Sequence, residues 1–190
     1  MNGAKFEFWC AKMRAVVYLV FNRYAAAEGV FTEMLERWPG DAYLLASRSH
    51  VRAMQGLHAG AIADAQELTR RFPTRSAGDW FNLAYLLDAQ ERYVEAEPAF
   101  RAALKQDPKL DRAWYGLGLV LIRLGRLDEA VPALKRNTEL QPMSPYGWYQ
   151  LARVHVDREE RDEAQKILTY LKGFEPKVAA QLARETGLST

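Results

Sequence analysis

Apolar and polar residues follow helical spacing along most of the chain, and the same pattern returns at a fixed interval. One clear stretch has apolar residues spaced i, i+3, i+4, i+7, as on one helix face, at Trp80, Leu83, Ala84 and Leu87. A break follows at residues 90–92, and a second apolar helix face then runs up to Pro108. Proline ends a helix because it lacks a backbone donor and clashes with the preceding turn. The pattern therefore predicts two consecutive helices here.

This helix pair is repeated. An Ala, an apolar or small residue four positions later and a Pro twelve positions after the Ala recur five times. The prolines recur every 34 or 35 residues, at Pro39, Pro73, Pro108, Pro142 and Pro176. Three tryptophans recur every 34 residues, at Trp80, Trp114 and Trp148. Such a period is typical of stacked repeats, in which each unit contacts mainly its neighbours.

Small residues at matching positions predict how each helix pair packs. In the first helix of each pair they are Ala15, Ser49, Ala84, Gly118 and Ala152. In the second helix they are Ala27, Ala61, Ala96, Ala130 and Ala164. Small side chains let two helices approach closely, and we expect the tryptophans to fill the space beside them inside the stack.

With these features the chain resembles the tetratricopeptide repeat (TPR) family, whose pattern is Trp-x2-Leu-Gly-x2-Tyr, then Ala-x3-Phe, then Pro. The resemblance implies an all-α fold, a right-handed superhelical solenoid of antiparallel helix pairs. It places a single array over residues 1–190, with repeats at 8–41, 42–75, 77–110, 111–144 and 145–178. A capping helix is expected at 177–187, with Val178 and Leu182 covering the last repeat.

Two repeats depart from the family pattern. The first has Ala11 and Arg14 where Trp and Leu are expected. The second is the weakest, with Arg48 and Arg52 at the Leu and Tyr positions. Its first helix is therefore expected to be shifted or partly exposed.

Charge and composition narrow the possible partners only slightly. The formal net charge is +2, which provides no strong field for nucleic acid or an anionic membrane. Cys10 is the single cysteine, which suits a reducing cytoplasm. A basic segment before the apolar run 15–21 loosely imitates a signal peptide, but Glu7 and Trp9 interrupt it. We therefore expect a cytoplasmic protein, with a periplasmic or secreted location as the alternative.

The sequence holds no pattern typical of catalysis. The three histidines, His50, His58 and His155, are far apart, and no phosphate-binding loop or nucleophile elbow occurs. His155 stands where the family has Tyr, so we interpret it as structural. Acidic clusters at 128–129 and 159–163 begin second helices, where they complement the helix dipole. We expect no enzyme activity, cofactor, metal or specific small-molecule substrate.

The resemblance implies that first helices line a concave groove for a partner peptide. The residue after each Trp is rotated by about 100° from it and should face that groove. With their neighbours on the same face, the predicted groove residues are Phe81, Asn82, Tyr85, Arg112, Tyr115, Leu119, Tyr146, Tyr149 and Arg153. In the first two repeats the matching residues are Trp9, Lys12, Val16, Tyr43 and His50.

Two interpretations of these aromatic residues stay open. The rings either pack between neighbouring first helices or form a recognition surface, with Tyr115 and Tyr149 expected to be the more exposed. One known form of the groove grips a terminal carboxylate with Lys, Asn, Asn, Lys and Arg. Only Asn82 and Arg112 match it here, because His50 and Gly116 replace the further Asn residues. The carboxylate clamp is therefore incomplete.

The leading hypothesis is a non-enzymatic scaffold or adaptor that binds a protein segment in this groove. One alternative is structural self-assembly through the apolar start Phe6, Phe8, Trp9 and Cys10. Another is an interaction arm of a larger enzyme or secretion complex. Nucleic-acid binding is the least favoured and would use Arg48, Arg52, Arg70, Arg71 and Arg75.

Overall fold

A computed structural model describes residues 3–189, and these residues form eleven α-helices and no strand. The helices are α1 (Gly3–Val20), α2 (Tyr24–Arg37), α3 (Ala42–Met54), α4 (His58–Arg71), α5 (Ala77–Asp88), α6 (Tyr93–Gln106), α7 (Asp111–Arg123), α8 (Leu127–Leu140), α9 (Pro145–Asp157), α10 (Arg161–Phe174) and α11 (Pro176–Thr186). The predicted all-α fold class is confirmed. None of these helices has the length and apolar character needed to cross a membrane.

The chain divides into two compact units, one ending at Glu91 and the other beginning at Arg92. The first unit contains α1–α5, and the second contains α6–α11. Odd-numbered helices up to α9 are the first helices of the predicted repeats, and even-numbered helices are the second. Helices α3, α5, α7 and α9 begin at residues 42, 77, 111 and 145, where the predicted repeats begin.

A left-handed residue lies in every turn between a first and a second helix. The five residues are Asn22, Gly56, Glu91, Gly125 and Glu159, with φ between 54° and 76°. The helix end predicted at Gly125 is therefore confirmed. Side chains other than glycine are disfavoured at positive φ because Cβ crowds the backbone. Two of the five turns thus place a glutamate in a strained conformation.

Glu159→Gly is expected to raise the free energy of unfolding by up to about 1 kcal/mol, because glycine adopts positive φ without a steric cost. Gly125→Glu, the reciprocal change at the equivalent turn, should lower it by a similar amount. Urea denaturation followed by circular dichroism measures both changes. A destabilised Glu159→Gly variant would contradict this explanation of the turn.

The small positions pack as the sequence predicts. Ala15, Ala84 and Ala152 are fully buried in the first helices, and Ala27 and its four counterparts are fully buried in the second. At Gly118 an added Cβ would lie 2.6 Å from Leu134 Cδ2, which shows how closely α7 and α8 approach. Within each unit, the helix pairs therefore pack through small residues.

The tryptophans have a different role from the predicted one. Trp80, Trp114 and Trp148 are half-buried rather than enclosed in the core. Each indole N–H donates to the carbonyl of the proline that closes the preceding repeat, at 2.8 Å (Pro73), 2.9 Å (Pro108) and 2.9 Å (Pro142). Each ring therefore holds the turn between repeats, which explains why Trp and Pro recur together.

The second repeat is not shifted, and its two arginines form an internal ion-pair network. Arg48 donates to Asp64 from Nε (2.9 Å) and Nη2 (2.6 Å), while Arg52 donates to Asp64 (2.9 Å) and to Glu28 (2.7 Å). Asp64 is 4% exposed. The Arg52 hydrogen bond holds the pKa of Glu28 below its usual value. Of the two expected outcomes, the shift does not occur, because α2 and α4 supply complementary carboxylates, while Arg48 and Arg52 are partly exposed.

The last helix covers the end of the second unit. Helix α11 ends at Thr186, and Gly187 follows with φ 65°, the left-handed residue common after a helix. Leu182 is fully buried, as predicted, whereas Val178 is only half-buried and Ala179 takes the more enclosed position. Helix α11 packs against both α9 and α10.

Candidate functional site

Ala65 in α4 interrupts the most regular feature of the core. The equivalent residues of the other four repeats are large and 0–1% exposed, namely Phe31, Phe100, Leu134 and Leu168. Because the Ala side chain is so much smaller, space is left above it between α3, α4 and α5. A cavity of about 390 Å³ lies there, and we call it the Ala65 pocket.

The walls of the pocket are mainly apolar, and its polar groups lie among them. The apolar lining includes Ala46, Ala53, Met54, Ala65, Leu68 and Leu86. Its polar residues include His50, His58, Asp79, Asn82 and Tyr85. Mainly apolar walls with a few polar groups are typical of ligand sites, and the volume lies in their usual range of about 300–1,000 Å³.

The electrostatics of the pocket centre on Asp79. This residue is 7% exposed, and Arg75 donates to its carboxylate at 2.9 Å and 3.1 Å. Burial raises the pKa of Asp79, and the Arg75 charge opposes that rise. Nearby, the His58 Nδ1 atom is buried and has no hydrogen-bond partner among the described residues.

Three predicted groove residues of the first unit lie together on α5. Asn82 and Tyr85 line the Ala65 pocket, and Tyr85 is 60% exposed. Phe81 stacks on Tyr85 with ring centroids 6.4 Å apart. His50, from the matching set of the second repeat, lines the same pocket. On the neighbouring helices, Lys12 Nζ lies 4.1 Å from the centroid of the Tyr43 ring.

In the second unit, Tyr146 is more exposed than Tyr115. Tyr115 is half-buried, and burial raises the pKa of its hydroxyl, with the Gln150 side chain opposing. Tyr146 is 70% exposed. Arg112 lies exposed in the first turn of α7. The Tyr115 ring is less exposed than Tyr146, because it packs on the core around Leu151.

Tyr149 is held within the unit by the capping helix. Its hydroxyl donates to the Glu185 carboxylate of α11, and the Arg153 guanidinium lies 5.9 Å from its ring centroid. Burial, and then Glu185, raises the pKa of Tyr149, while the same hydrogen bond lowers the pKa of Glu185. Leu119 and Arg153 line a smaller cavity of about 230 Å³. Tyr149, like Phe81 and Tyr115, is half-buried.

The arginines considered for nucleic-acid binding all have acidic partners. Arg70 and Arg71 both pair with Glu67 (2.8 Å and 2.6 Å), and Arg75 pairs with Asp79. Arg48 and Arg52 belong to the internal network around Asp64. Their charges are therefore locally neutralised, which weakens the argument for phosphate binding.

The histidines and carboxylates form no centre in the described residues. His155 is 4% exposed, with Nδ1 2.6 Å from Glu160 Oε2, in agreement with its structural interpretation. Among residues 3–189, no group of three or more His, Cys, Asp or Glu side chains is arranged to hold a metal ion. Asp128 and Glu129 begin α8, and Asp162 and Glu163 begin α10, where they meet the helix dipole.

The pocket was not predicted from the sequence, because the prediction considered aromatic rings and charges and not the size of the core side chains. The available signal was Ala65 itself, aligned with Phe or Leu in the other repeats. A small residue there leaves either a collapsed core or a cavity, and only packing decides between them. The small residues Ala46 and Ala53 on α3 also leave the space unfilled.

Pairs of helices at a 34-residue period, joined by left-handed turns and closed by prolines, define a helical-repeat protein. The sequence model of the tetratricopeptide repeat family matches residues 12–76 and 80–145. The chain belongs to this family, as its sequence pattern predicts.

Solved structures agree on the fold. A crystal structure of MamA protein is 18% identical, with a TM-score of 0.83 over 95% of this chain and 96% of that one. MamA from Desulfovibrio magneticus RS-1 is also 18% identical, with a TM-score of 0.78 over 92% and 96% of the two chains. YrrB, described as a TPR protein with an unusual peptide-binding site, is 19% identical, with a TM-score of 0.80 over 90% and 88%. No curated protein matches the chain in sequence.

Proposed function

We propose that this chain is a non-enzymatic scaffold that binds an extended segment of a partner protein, with one apolar side chain of that segment in the Ala65 pocket. The observation that carries the proposal is the missing large side chain at Ala65. A volume that Phe or Leu fills in the other repeats is left for a ligand to fill here. We place this scaffold in the cytoplasm, which suits its single, exposed cysteine.

The rim of the pocket supports binding of a peptide. Tyr85 and Met54, respectively 60% and 53% exposed, flank the opening with large side chains that can cover a ligand. Asn82 can both donate to and accept from a peptide backbone, as an extended segment requires. Aromatic residues are enriched where proteins dock, because they bury much area at a low cost in side-chain entropy.

The fold independently supports the general class of function, which is binding of another protein chain. Repeat arrays present long surfaces that bind other chains. YrrB, which has the same fold, is described as having an unusual peptide-binding site. Tyr115, Tyr146, Tyr149 and Arg153 of the second unit remain predicted contacts for the same kind of ligand.

Filling the pocket tests the proposal. Dodecapeptides selected from a random phage-displayed library on the wild-type chain should share an apolar or aromatic anchor residue. Ala65→Leu restores the residue of the fourth and fifth repeats, so the variant should fold at least as stably as the wild type. We expect the variant to bind these peptides about ten-fold or more weakly in calorimetric titration, because the pocket for the anchor side chain is filled.

The control is Ala63→Leu, an exposed position of the same helix, which should leave affinity unchanged. Thermal unfolding of both variants checks that they are folded. If the selected peptides bind Ala65→Leu as tightly as wild type, the pocket is not the anchor site. If Tyr115→Ala/Tyr149→Ala alone weakens binding, the ligand is held by the second unit instead.

A further inference from the structure

Two departures from the repeat pattern meet in the Ala65 pocket. The first is Ala65 itself, and the second is Asp79 of α5, which lines the same cavity. At the position of Asp79 the other repeats have uncharged residues, namely Cys10, Leu44, Ala113 and Gly147. Leu44 and Ala113 are fully buried, so the repeat needs no charge at this position. A buried carboxylate therefore lies beside the cavity where four other repeats have none.

The helix dipole explains an acidic residue near the start of α5 but not its burial. Asp79 lies in the first turn, where a carboxylate complements the positive end of the helix. The acidic residues in the first turns of the other described helices are exposed or half-buried, namely Glu95, Asp111, Asp128, Glu129, Asp162 and Glu163. They interact with the dipole without the desolvation cost of burial. The dipole therefore does not account for the placement of Asp79 beside the cavity.

The Asp79 carboxylate has capacity for further hydrogen bonds. A carboxylate offers about four lone-pair sites, and Arg75 occupies two of them, at 2.9 Å and 3.1 Å. Within residues 3–189, the Asp79 side chain accepts from Arg75 alone. Arg75 already balances the charge, and a cationic ligand would approach that guanidinium and lose its own hydration. The carboxylate therefore favours a neutral N–H or O–H donor over a second cation.

The space above Ala65 favours an aromatic ring as the body that carries this donor. Two of the counterparts of Ala65 are Phe31 and Phe100, whose buried rings fill the equivalent space in their own repeats. The Ser49 hydroxyl on the pocket wall donates to the Ala61 carbonyl at 2.8 Å, so its proton is already used within the chain. Tryptophan and tyrosine combine a large apolar ring with a neutral donor, and both need a partner for that donor when they are buried.

We infer that the anchor side chain of the partner segment is tryptophan or tyrosine, and that its indole N–H or phenol O–H donates to the Asp79 carboxylate. This inference rests on the proposed function, because it specifies which side chain occupies the Ala65 pocket. Burial raises the pKa of Asp79, and a donor supplied by the ligand would favour the charged form and oppose that rise. The ring and the donor of one side chain thus complement both departures from the repeat pattern.

Peptides with substituted anchors test the inference on the full chain. In the tightest-binding selected dodecapeptide, the anchor is the residue whose replacement by Ala weakens binding to the wild type but not to Ala65→Leu. The peptide is then synthesised with Trp, 1-methyltryptophan, Tyr, Phe or Lys at that position. The methylated indole lacks the N–H of Trp, and Phe lacks the O–H of Tyr. We expect the better of Trp and Tyr to bind about ten-fold or more tightly than its donor-free partner, and more tightly than Lys.

Two protein variants assign the preference to Asp79. Asp79→Ala installs the residue of the fourth repeat and should reduce the difference between matched anchors to less than about two-fold. The Arg75 side chain is partly exposed, so it keeps contact with water when its partner is removed. Asp162→Ala removes an exposed acid from the first turn of α10 and should leave the difference unchanged. Circular dichroism checks that both variants are folded, and the comparison of anchors on the wild type needs neither of them.

The outcomes distinguish this inference from the proposed function. If no peptide residue depends on the open pocket, the proposed function fails and the inference fails with it. If such an anchor exists but Phe or 1-methyltryptophan binds as tightly as Tyr and Trp, the proposed function stands and the inference is wrong. Tighter binding of Lys than of both would assign the carboxylate to a cation and contradict the inference. A donor preference that Asp79→Ala leaves unchanged would also overturn it, because another group would then accept the hydrogen bond.

Discussion

Asp64→Ala is expected to lower the free energy of unfolding by about 3 kcal/mol, because it leaves the half-buried Arg48 without its carboxylate partner and Arg52 with Glu28 alone. The Asp64 carboxylate accepts three charge-assisted hydrogen bonds, two from Arg48 in a bidentate arrangement and one from Arg52. Charge-assisted hydrogen bonds are stronger than those between neutral groups. When one partner is removed, the other keeps its desolvation cost without the compensating bond. Denaturant unfolding followed by circular dichroism measures the change.

Replacing Arg48, Arg52 and Asp64 together should cost far less than removing Asp64 alone, although Glu28 then keeps only its hydrogen bond from Gln55. Arg48→Leu/Arg52→Leu/Asp64→Ala installs the residues that the fourth repeat has at the same positions, namely Leu117, Leu121 and Ala133. Well-packed apolar residues often replace a buried ion network with no loss of stability. We expect the triple variant to lie within about 1 kcal/mol of the wild type or above it.

The exposed control is Asp162→Ala in α10, which should change stability by less than about 1 kcal/mol. A triple variant as unstable as Asp64→Ala would mean that the second repeat needs its charges for another reason. An Asp64→Ala variant as stable as the control would show that the network carries no net stabilisation.

Most of the fold could be predicted because its signals are local and repeated. The small residue of each helix, the closing proline and the turn at Gly125 each recur at the same interval, so one unit informs the next. The helix starts at 42, 77, 111 and 145 follow from this periodicity. Periodicity says less where repeats differ from one another.

The features that the sequence did not reveal depend on contacts between distant residues. Arg48 and Arg52 look like defects until Asp64 and Glu28, on the two adjacent second helices, are placed beside them. Tyr149 looks like an exposed groove residue until α11 brings Glu185 to its hydroxyl. Each case needs the three-dimensional pairing of side chains, which spacing along one helix does not provide.

The candidate site could be predicted only in part, because it too depends on contacts between residues that are distant in the sequence. Tyr85 was identified by its place on the first-helix face and Asn82 by its match to the carboxylate clamp, and both line the Ala65 pocket. The pocket itself arises from a side chain that is absent, and a missing volume has no pattern of its own. Comparison of Ala65 with its four large counterparts shows where volume is missing, and the packing around it decides whether a cavity forms.

Phe100→Ala is expected to lower the free energy of unfolding by about 3–5 kcal/mol, because it leaves a cavity in a core that cannot fully collapse. The Phe100 ring is 1% exposed and packs against Gly116 of α7. A Cβ added at Gly116 would fall within van der Waals distance of the ring. The absence of a side chain at Gly116 therefore makes room for the ring.

This contact makes the two positions energetically dependent on each other. Gly116→Ala alone should cost about 1–3 kcal/mol, because the buried ring has little space to move. In a Phe100→Leu background the same change should cost less, since the smaller side chain leaves room for the methyl group. A double-mutant cycle measures the difference, which we expect to exceed about 0.5 kcal/mol.

Gly173→Ala serves as the control, because no atom lies within 4 Å of a Cβ added there. It should be neutral or stabilising, since alanine favours helix over glycine by about 1 kcal/mol. If Gly116→Ala proves equally benign with Phe100 present, the ring moves aside and the contact does not set the distance between α6 and α7. An additive cycle would lead to the same conclusion, because two positions that share no contact have no coupling energy.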